Sequence, residues 1–138
     1  MADPVILTVP DPRLRQVCEP CPGMSVDMVA TMFYLMAKHG GVGLAAPQLG
    51  IMQRFFVMAN GLCCVNPELT LGGVAVKSIE GCLSLPGRSY EVRRMSQVYL
   101  KTAFFGIQLD GIWAIVAQHE YDHLNGILIE SFKDSNLN

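Results

Sequence analysis

Two histidines and two carboxylates lie together in the stretch His119-Glu-Tyr-Asp-His123. Residues four apart on a helix lie about 40° apart around its axis, so His119 and His123 would share one face. Two imidazoles placed in this way can bind one divalent ion, and Glu120 beside them can move a proton. The spacing predicts a metal site, with a solvated helix end of the same composition as the alternative.

The run before these residues, 111–118, contains no charged side chain. A helix that is apolar nearly all round lies inside a protein, and a buried His-Glu-Asp-His cluster needs partners that a metal ion supplies. We predict an N-cap at Asp110 and a left-handed stop at Gly126. The apolar positions of this predicted helix are Ile112, Trp113, Ala114, Ile115, Val116 and Ala117.

A third metal ligand has to come from elsewhere in the chain, and the candidates are His39, the carboxylates and the thiols. Cys82 follows Gly81 in a run of loop-forming residues that would present a thiolate, although a free cysteine is more often a small core residue. Spacing alone leaves this choice open. The five cysteines are odd in number and two of them are adjacent, which argues for reduced thiols and against a disulfide framework. The Cys18-x-x-Cys21 pair is interpreted as structural.

Length and composition predict one compact domain over residues 1–138, with 51% apolar and 16% charged residues. The net charge of −2 argues against a nucleic-acid or membrane surface and favours small or peptidic partners. Residues 39–53, the longest uncharged stretch, are too short and too rich in glycine to span a bilayer. The N-terminus carries an acid and a proline where a secretory signal would carry a base, so we expect a cytoplasmic protein.

Periodicity and turn residues predict an α+β fold. We expect short, mainly antiparallel strands packed around the central buried helix, with one N-terminal helix starting at Ser25. The Asn60-Gly61 step predicts a hairpin, and Gly72-Gly73 a bulge or turn. The other predictions are an extended segment at 4–9, a helical turn at 13–17, strands at 54–59, 62–65, 69–76, 97–104 and 127–129, irregular structure at 80–87 and a polar tail from 132.

Three separated motifs resemble those of the peptide deformylases, in that family's order. They are Gly41-Val-Gly-Leu-Ala-Ala-Pro-Gln48, Glu80-Gly-Cys-Leu-Ser84 and Gln118-His-Glu-Tyr-Asp-His123. Residues 7–15 also resemble the family's usual opening, so the resemblance covers nearly the whole chain.

The resemblance implies that Cys82, His119 and His123 bind one divalent metal ion, Fe²⁺ in cells and Ni²⁺, Co²⁺ or Zn²⁺ in purified protein. It implies that Glu120 is the catalytic carboxylate, and that Gln48 and the backbone N–H of Leu83 stabilise an oxyanion. The implied reaction removes the formyl group from the N-terminal formyl-methionine of new polypeptides. Metal-activated hydroxide would attack the formyl carbon while Glu120 transfers the proton.

We also expect a pocket for the methionine side chain beside the ion, and the alternative for its aliphatic residues is core packing. The backbone of residues 41–43 would pair with the substrate as an added strand. An arginine, Arg88, Arg93 or Arg94, is expected to pair with Asp122 or Glu80 and so orient a ligand histidine. The predicted substrate-binding residues are Val42, Gly43, Gly81, Ile112, Ile115 and Val116.

Only 15 residues follow His123, and the spacings between motifs are short. The chain resembles the trimmed deformylases encoded by some phages, which implies a bacterial or phage-infected bacterial cytoplasm and no ribosome docking by a C-terminal helix. Two alternatives remain: a zincin-like metallopeptidase, which would take its third ligand downstream, and a non-catalytic binding module stapled by a metal. A structural metal site is usually closed by four protein ligands.

Overall fold

The helix that carries the two histidines is the longest in the computed structural model, which describes residues 4–132. Two three-stranded antiparallel sheets pack with it, in the orders β1-β2-β3 and β4-β5-β6. The predicted α+β class is therefore confirmed. The helices are α1 (Val26–Lys38) and α2 (Gly111–Leu124), and the strands are β1 (Gly43–Ala45), β2 (Phe55–Met58), β3 (Cys63–Val65), β4 (Glu68–Cys82), β5 (Leu85–Lys101) and β6 (Gly106–Asp110).

The local signals for α1 and the first hairpin gave the right elements. The side chain of Ser25 accepts a hydrogen bond from Met28 N (3.1 Å) and caps α1. Strands β2 and β3 pair antiparallel on either side of Asn60-Gly61, and Gly61 has a φ of +93°. A residue without a Cβ adopts that backbone conformation without strain.

Strands β4 and β5 are 15 and 17 residues long, longer than the sequence predicts. The glycine-rich run at 80–87, predicted to be irregular, holds the end of β4, a tight turn and the start of β5. The pairing register shifts between Gly72 and Ala75 and again between Glu80 and Cys82. The bulge predicted at Gly72-Gly73 is confirmed, and bulges let a strand continue through glycines that would otherwise end it.

Two other local predictions are wrong. Residues 127–129 form no strand, and the chain instead makes a 3₁₀ helix at Ile129–Phe132. Residues 4–9 lie in neither a helix nor a strand, and the extended segment proposed there stays a prediction. The strand predicted at 97–104 is too long, because β5 ends at Lys101 and Phe104, beyond its end, is 78% exposed. The helical turn predicted at 13–17 lies at Pro12–Arg15, and residues 133–138 of the predicted tail lie outside the described residues.

Helix α2 is buried along the face where small side chains let both sheets approach it, whereas Ile112 in its first turn is 59% exposed and the helix is not buried all round as predicted. Ala114 and Ala117 have no exposed surface and belong to one apolar cluster with residues of both sheets, Phe56, Met58, Val98 and Leu100. The Gln118 side chain fixes α2 to β5: its Nε2 donates to Met95 O (2.8 Å) and its Oε1 accepts from Met95 N (3.0 Å). None of the helices within residues 4–132 is long and apolar enough to cross a bilayer.

The two ends of α2 differ in how they are capped. Asp110 occupies the N-cap position as predicted, but its side chain makes no capping hydrogen bond. At the other end Gly126, with a φ of +71°, completes a Schellman motif, in which Gly126 N donates to His123 O (3.1 Å) and Ile127 N to Asp122 O (2.9 Å). Arg54 Nη1 donates to the last helical carbonyl, Leu124 O (3.0 Å).

We expect Gly126→Ala to lower the free energy of unfolding by about 2–4 kcal/mol, because positive φ and steric overlap add. A Cβ at residue 126 would lie 2.5 Å from the carbonyl carbon of Arg15. Gly40 has the same handedness (φ +70°) but open space around its Cβ position, so Gly40→Ala should cost only about 1 kcal/mol. Urea unfolding at equal metal loading measures both, and equal losses would contradict the close approach.

Candidate metal centre

The end of β4 and one face of α2 bring three metal-ligating side chains together. Donor atoms of Cys82, His119 and His123 all lie within 4.8 Å of one another. Cys82 Sγ is 3.3 Å from His123 Nε2, and the two imidazole centroids are 5.1 Å apart. His39, the other histidine among the candidates for a third ligand, lines the same cavity but is not in this cluster.

The chemistry of these side chains fits a divalent ion. One thiolate and two imidazoles are donors that suit Fe²⁺, Co²⁺, Ni²⁺ and Zn²⁺. Two buried polar atoms beside them, Glu120 Oε1 and His123 Nδ1, have no hydrogen-bond partner among the described residues. Three protein donors leave a coordination position for water or substrate, which is the arrangement of a catalytic site.

A buried ion network lies behind His119. Glu80 Oε1 is 2.9 Å from His119 Nδ1, which leaves the other ring nitrogen for a metal. Arg94 donates to Glu80 twice, Nε to Oε2 (2.9 Å) and Nη2 to Oε1 (2.8 Å), and Nη1 donates to Asp122 Oδ2 (2.6 Å). The arginine pairing predicted for this site is therefore made by Arg94. Arg88 pairs with Glu130 and Arg93 is exposed.

Burial and hydrogen bonding have opposite effects on the pKa values of this network. Burial opposes ionisation of Glu80, but hydrogen bonds from Arg94 and His119 outweigh it and hold its pKa at about 2. Burial also opposes a charge on His119, yet its contacts with Cys82 and Glu80 raise its pKa to about 10. His123 has no carboxylate partner within residues 4–132, and burial lowers its pKa well below the usual value. The side chains around His119 thus stabilise a positive charge, and a divalent ion bound there would supply one.

Glu120 is 4% exposed, and burial raises the pKa of its carboxyl to about 7, although His119 and Arg94 attract the charge. This value is suited to proton transfer near neutral pH. The carboxylate fits against the backbone of β1 only because residue 43 is glycine. A Cβ there would lie 2.6 Å from Glu120 Oε2.

The amide of Gln48 is held in one orientation. Its Oε1 accepts from Ala45 N (2.9 Å), so its Nε2 faces Ser84 Oγ (3.1 Å) and Cys82 Sγ (3.7 Å). Sequence reasoning missed Ser84, which is fully buried. Its place in the same motif as Cys82 is the one signal that could have found it.

A cavity of about 1250 Å³ opens beside these groups. It extends along β4 to Val76, and residues 77–79 of this wall lie beyond the strand that the sequence predicts at 69–76. Gln48, Leu83 and Glu120 also line it. The six residues predicted to bind substrate, Val42, Gly43, Gly81, Ile112, Ile115 and Val116, all line this cavity.

The remaining cysteines are core residues. All five are free, and Cys18, Cys21 and Cys64 are buried. Burial raises the pKa of the Cys64 thiol to about 12, with a smaller contribution from Cys63. The burial of Cys18 and Cys21 agrees with the structural interpretation of the Cys18-x-x-Cys21 pair.

Comparison with known proteins gives one family. A family model described as polypeptide deformylase matches residues 4–136. The chain is similar to a peptide deformylase of Thermotoga maritima, with 40% identity over 131 residues that cover 86% of this chain and 80% of the relative. It is also similar to one of Carboxydothermus hydrogenoformans, with 36% identity over 141 residues, 94% of this chain and 93% of the relative.

Solved structures agree with the sequence matches. The crystal structure of peptide deformylase from Thermotoga maritima superposes with a TM-score of 0.88 at 37% identity and covers 95% of this chain and 97% of that one. A peptide deformylase from Legionella pneumophila superposes with a TM-score of 0.88 at 35% identity, covering 94% and 85%.

We expect Arg94→Gln to weaken metal affinity about 10- to 100-fold, because Glu80 would lose the partner that orients it toward His119. The matched control is Arg93→Gln, since Arg93 is the exposed neighbour on the same strand and should leave the affinity unchanged. Competition with a chelator measures both. If Arg94→Gln does not fold, Asp122→Ala removes one arm of the network alone. Wild-type affinity in both variants would show that the network does not position the ligand.

Proposed function

The chain belongs to the peptide deformylase family, and on that premise we propose that it removes the formyl group from the formyl-methionine of newly made polypeptides. Members of this family are metal-dependent hydrolases. The observation that carries the proposal is the convergence of Cys82, His119 and His123 beside the buried carboxylate of Glu120. We further propose that residues 1–138 form a single catalytic domain, and the family match over residues 4–136 supports this.

Cys82, His119 and His123 would hold the metal ion, and we propose Fe²⁺ as the ion used in the cell. When bound, such an ion acidifies water and polarises a carbonyl oxygen. Glu80 accepts from His119 Nδ1–H and keeps the ring turned so that its other nitrogen can act as a ligand.

Glu120 is the proposed proton carrier. Its unpartnered Oε1 accepts a proton from the attacking water and returns it to the amine nitrogen that leaves. The lack of a side chain on Gly43 lets the carboxylate lie against the backbone strand that would bind the substrate.

Gln48 and Leu83 are the proposed oxyanion donors. Because Ala45 N–H fixes the Gln48 carbonyl oxygen, its amino group is held toward the cavity before any substrate arrives. A donor that needs no reorientation during the reaction stabilises developing charge well, and losing one such donor typically costs ~10²–10³ in rate.

The cavity offers an apolar site for methionine and two free strand edges for the peptide backbone. Val42, Ile115 and Val116 provide aliphatic surface, and Val116 is 5% exposed. Strands β1 and β4 are each at the end of their sheet order, so each has one unpaired edge, and Gly43 and Gly81 lie on those edges. An extended peptide can add there as a strand.

The two alternatives fit the site less well. A zincin-like metallopeptidase would take its third ligand downstream of the histidines, whereas Cys82 lies upstream of both. A metal-stapled module would close its site with a fourth protein donor. Within residues 4–132 the donor cluster has three members.

Formate release from a formyl-methionyl peptide by anaerobically purified protein, together with metal analysis, tests the proposal. We expect turnover with about one metal ion per chain, Fe²⁺ in protein kept from air. Cleavage of internal peptide bonds without formate release would favour the metallopeptidase.

Glu120→Gln should lower kcat by at least about 10²-fold and leave the metal content unchanged, because the amide cannot carry the proton but keeps the shape of the side chain. Formate release and metal analysis on the same preparation measure both effects. Undiminished turnover would remove Glu120 from the mechanism.

Gly43→Ala should lower kcat/KM about 10- to 100-fold, since the added methyl group displaces the Glu120 carboxylate by an amount that matters for proton transfer. Gly23→Ala is the matched control, because a Cβ at residue 23 meets nothing within 4 Å. Equal activities of the two variants would show that the close approach has no role in catalysis.

A further inference from the structure

We propose that Lys77 makes this enzyme prefer substrates with an acidic residue several positions after the formyl-methionine, an inference that rests on the proposed function. Lys77 is exposed and lies on the free edge strand β4, along the same cavity that holds the metal-ligating residues at its other end. It would therefore act on the part of the peptide that follows the methionine.

The distance along β4 fixes which part of the substrate Lys77 meets. Lys77 precedes Cys82 by five positions in the strand, which corresponds to about 16 Å at about 3.3 Å per residue. A peptide added along this edge advances by the same rise. The Lys77 ammonium would then lie near the residue about four or five positions beyond the methionine.

The solvent-facing charges of the cavity wall are positive, although the whole chain has a net charge of −2. The two carboxylates that line the cavity, Glu80 and Glu120, are 8% and 4% exposed, and Glu80 is paired with Arg94. Lys77 and Arg88 line its exposed part. Glu130, the carboxylate paired with Arg88, is also shared with Arg15, so one negative charge serves two cations.

Lys77 also faces a second cation across the sheet. Its partner in the β4–β5 register is Arg93, and like charges directly opposite each other are destabilising. Within residues 4–132 neither side chain makes an ion pair with a carboxylate. Glu91 lies on the same face, opposite Ile79, but is not paired with either cation. An acidic side chain of the substrate would supply a counter-charge for Lys77 and Arg93 at this edge of the cavity.

The chemistry of the substrate makes this contact a means of selection. A formylated N-terminus has no charge, so the charge that Lys77 meets depends only on the later residues. An exposed ion pair is weak by itself, but exchanging an acid for a base replaces attraction by repulsion. The resulting difference in kcat/KM between such peptides should be about three- to tenfold.

The experiment uses the metal-loaded enzyme and formyl-methionyl peptide amides whose other residues are serine, with one serine at a time replaced by glutamate or lysine. We expect the ratio of kcat/KM for glutamate over lysine to peak at the position that reaches Lys77 and to fall as salt is added, because exposed charges are screened. Lys77→Gln should flatten the peak. Lys101→Gln, at an exposed lysine of the same sheet outside the cavity, should leave it unchanged.

The all-serine peptide separates the two proposals. If it is not deformylated, the proposed function is wrong. If it is deformylated and the wild-type profile is flat, or the peak survives in Lys77→Gln, only the selectivity proposal is overturned. A flat profile combined with weaker retention of Lys77→Gln on an RNA duplex would mean that the cations contact nucleic acid, which also overturns it.

Discussion

The buried pairing of Arg94 with Glu80 is the interaction on which the geometry of the metal centre depends. Arg94 comes from β5, Glu80 from β4, and the histidine that Glu80 orients from α2. A charged pair with 4% and 7% side-chain exposure is stable only when nearly every polar atom has a partner. The two hydrogen bonds between them and the contacts to Asp122 and His119 provide those partners, and they fix three elements relative to one another.

The same ion network serves both the fold and the metal centre, because it joins β4, β5 and α2 and contacts His119. Replacing a buried ion pair by apolar residues is often neutral or stabilising, so its presence here is not explained by stability. The network instead holds the His119 imidazole, through Glu80, beside the Cys82 thiol of another element. Burial raises the pKa of the neighbouring Glu120, whose Oε1 has no hydrogen-bond partner among the described residues.

The chemistry of the site could be predicted from the sequence better than the strand that supports it. The spacing of His119 and His123 after an uncharged run, and the resemblance of the Cys82 motif, predicted the cluster that the structure brings together. The long β4–β5 ribbon was missed because Gly72, Gly73 and Gly81 suggest breaks, whereas two register shifts let the strand continue. Pairing across β4 and β5 is a non-local property, and local composition does not contain it.

The free edges of β1 and β4 have a further consequence, for the behaviour of the protein at high concentration. An unpaired strand edge is a template for adding a strand from another molecule, which leads to aggregation. Gly43 of β1 and residues 76–82 of β4 line a concave cavity, where the flat edge of a second copy cannot easily reach, and a lysine on an edge strand is a common guard against such pairing. The concave wall thus shields these parts of the two edges from pairing with a second copy.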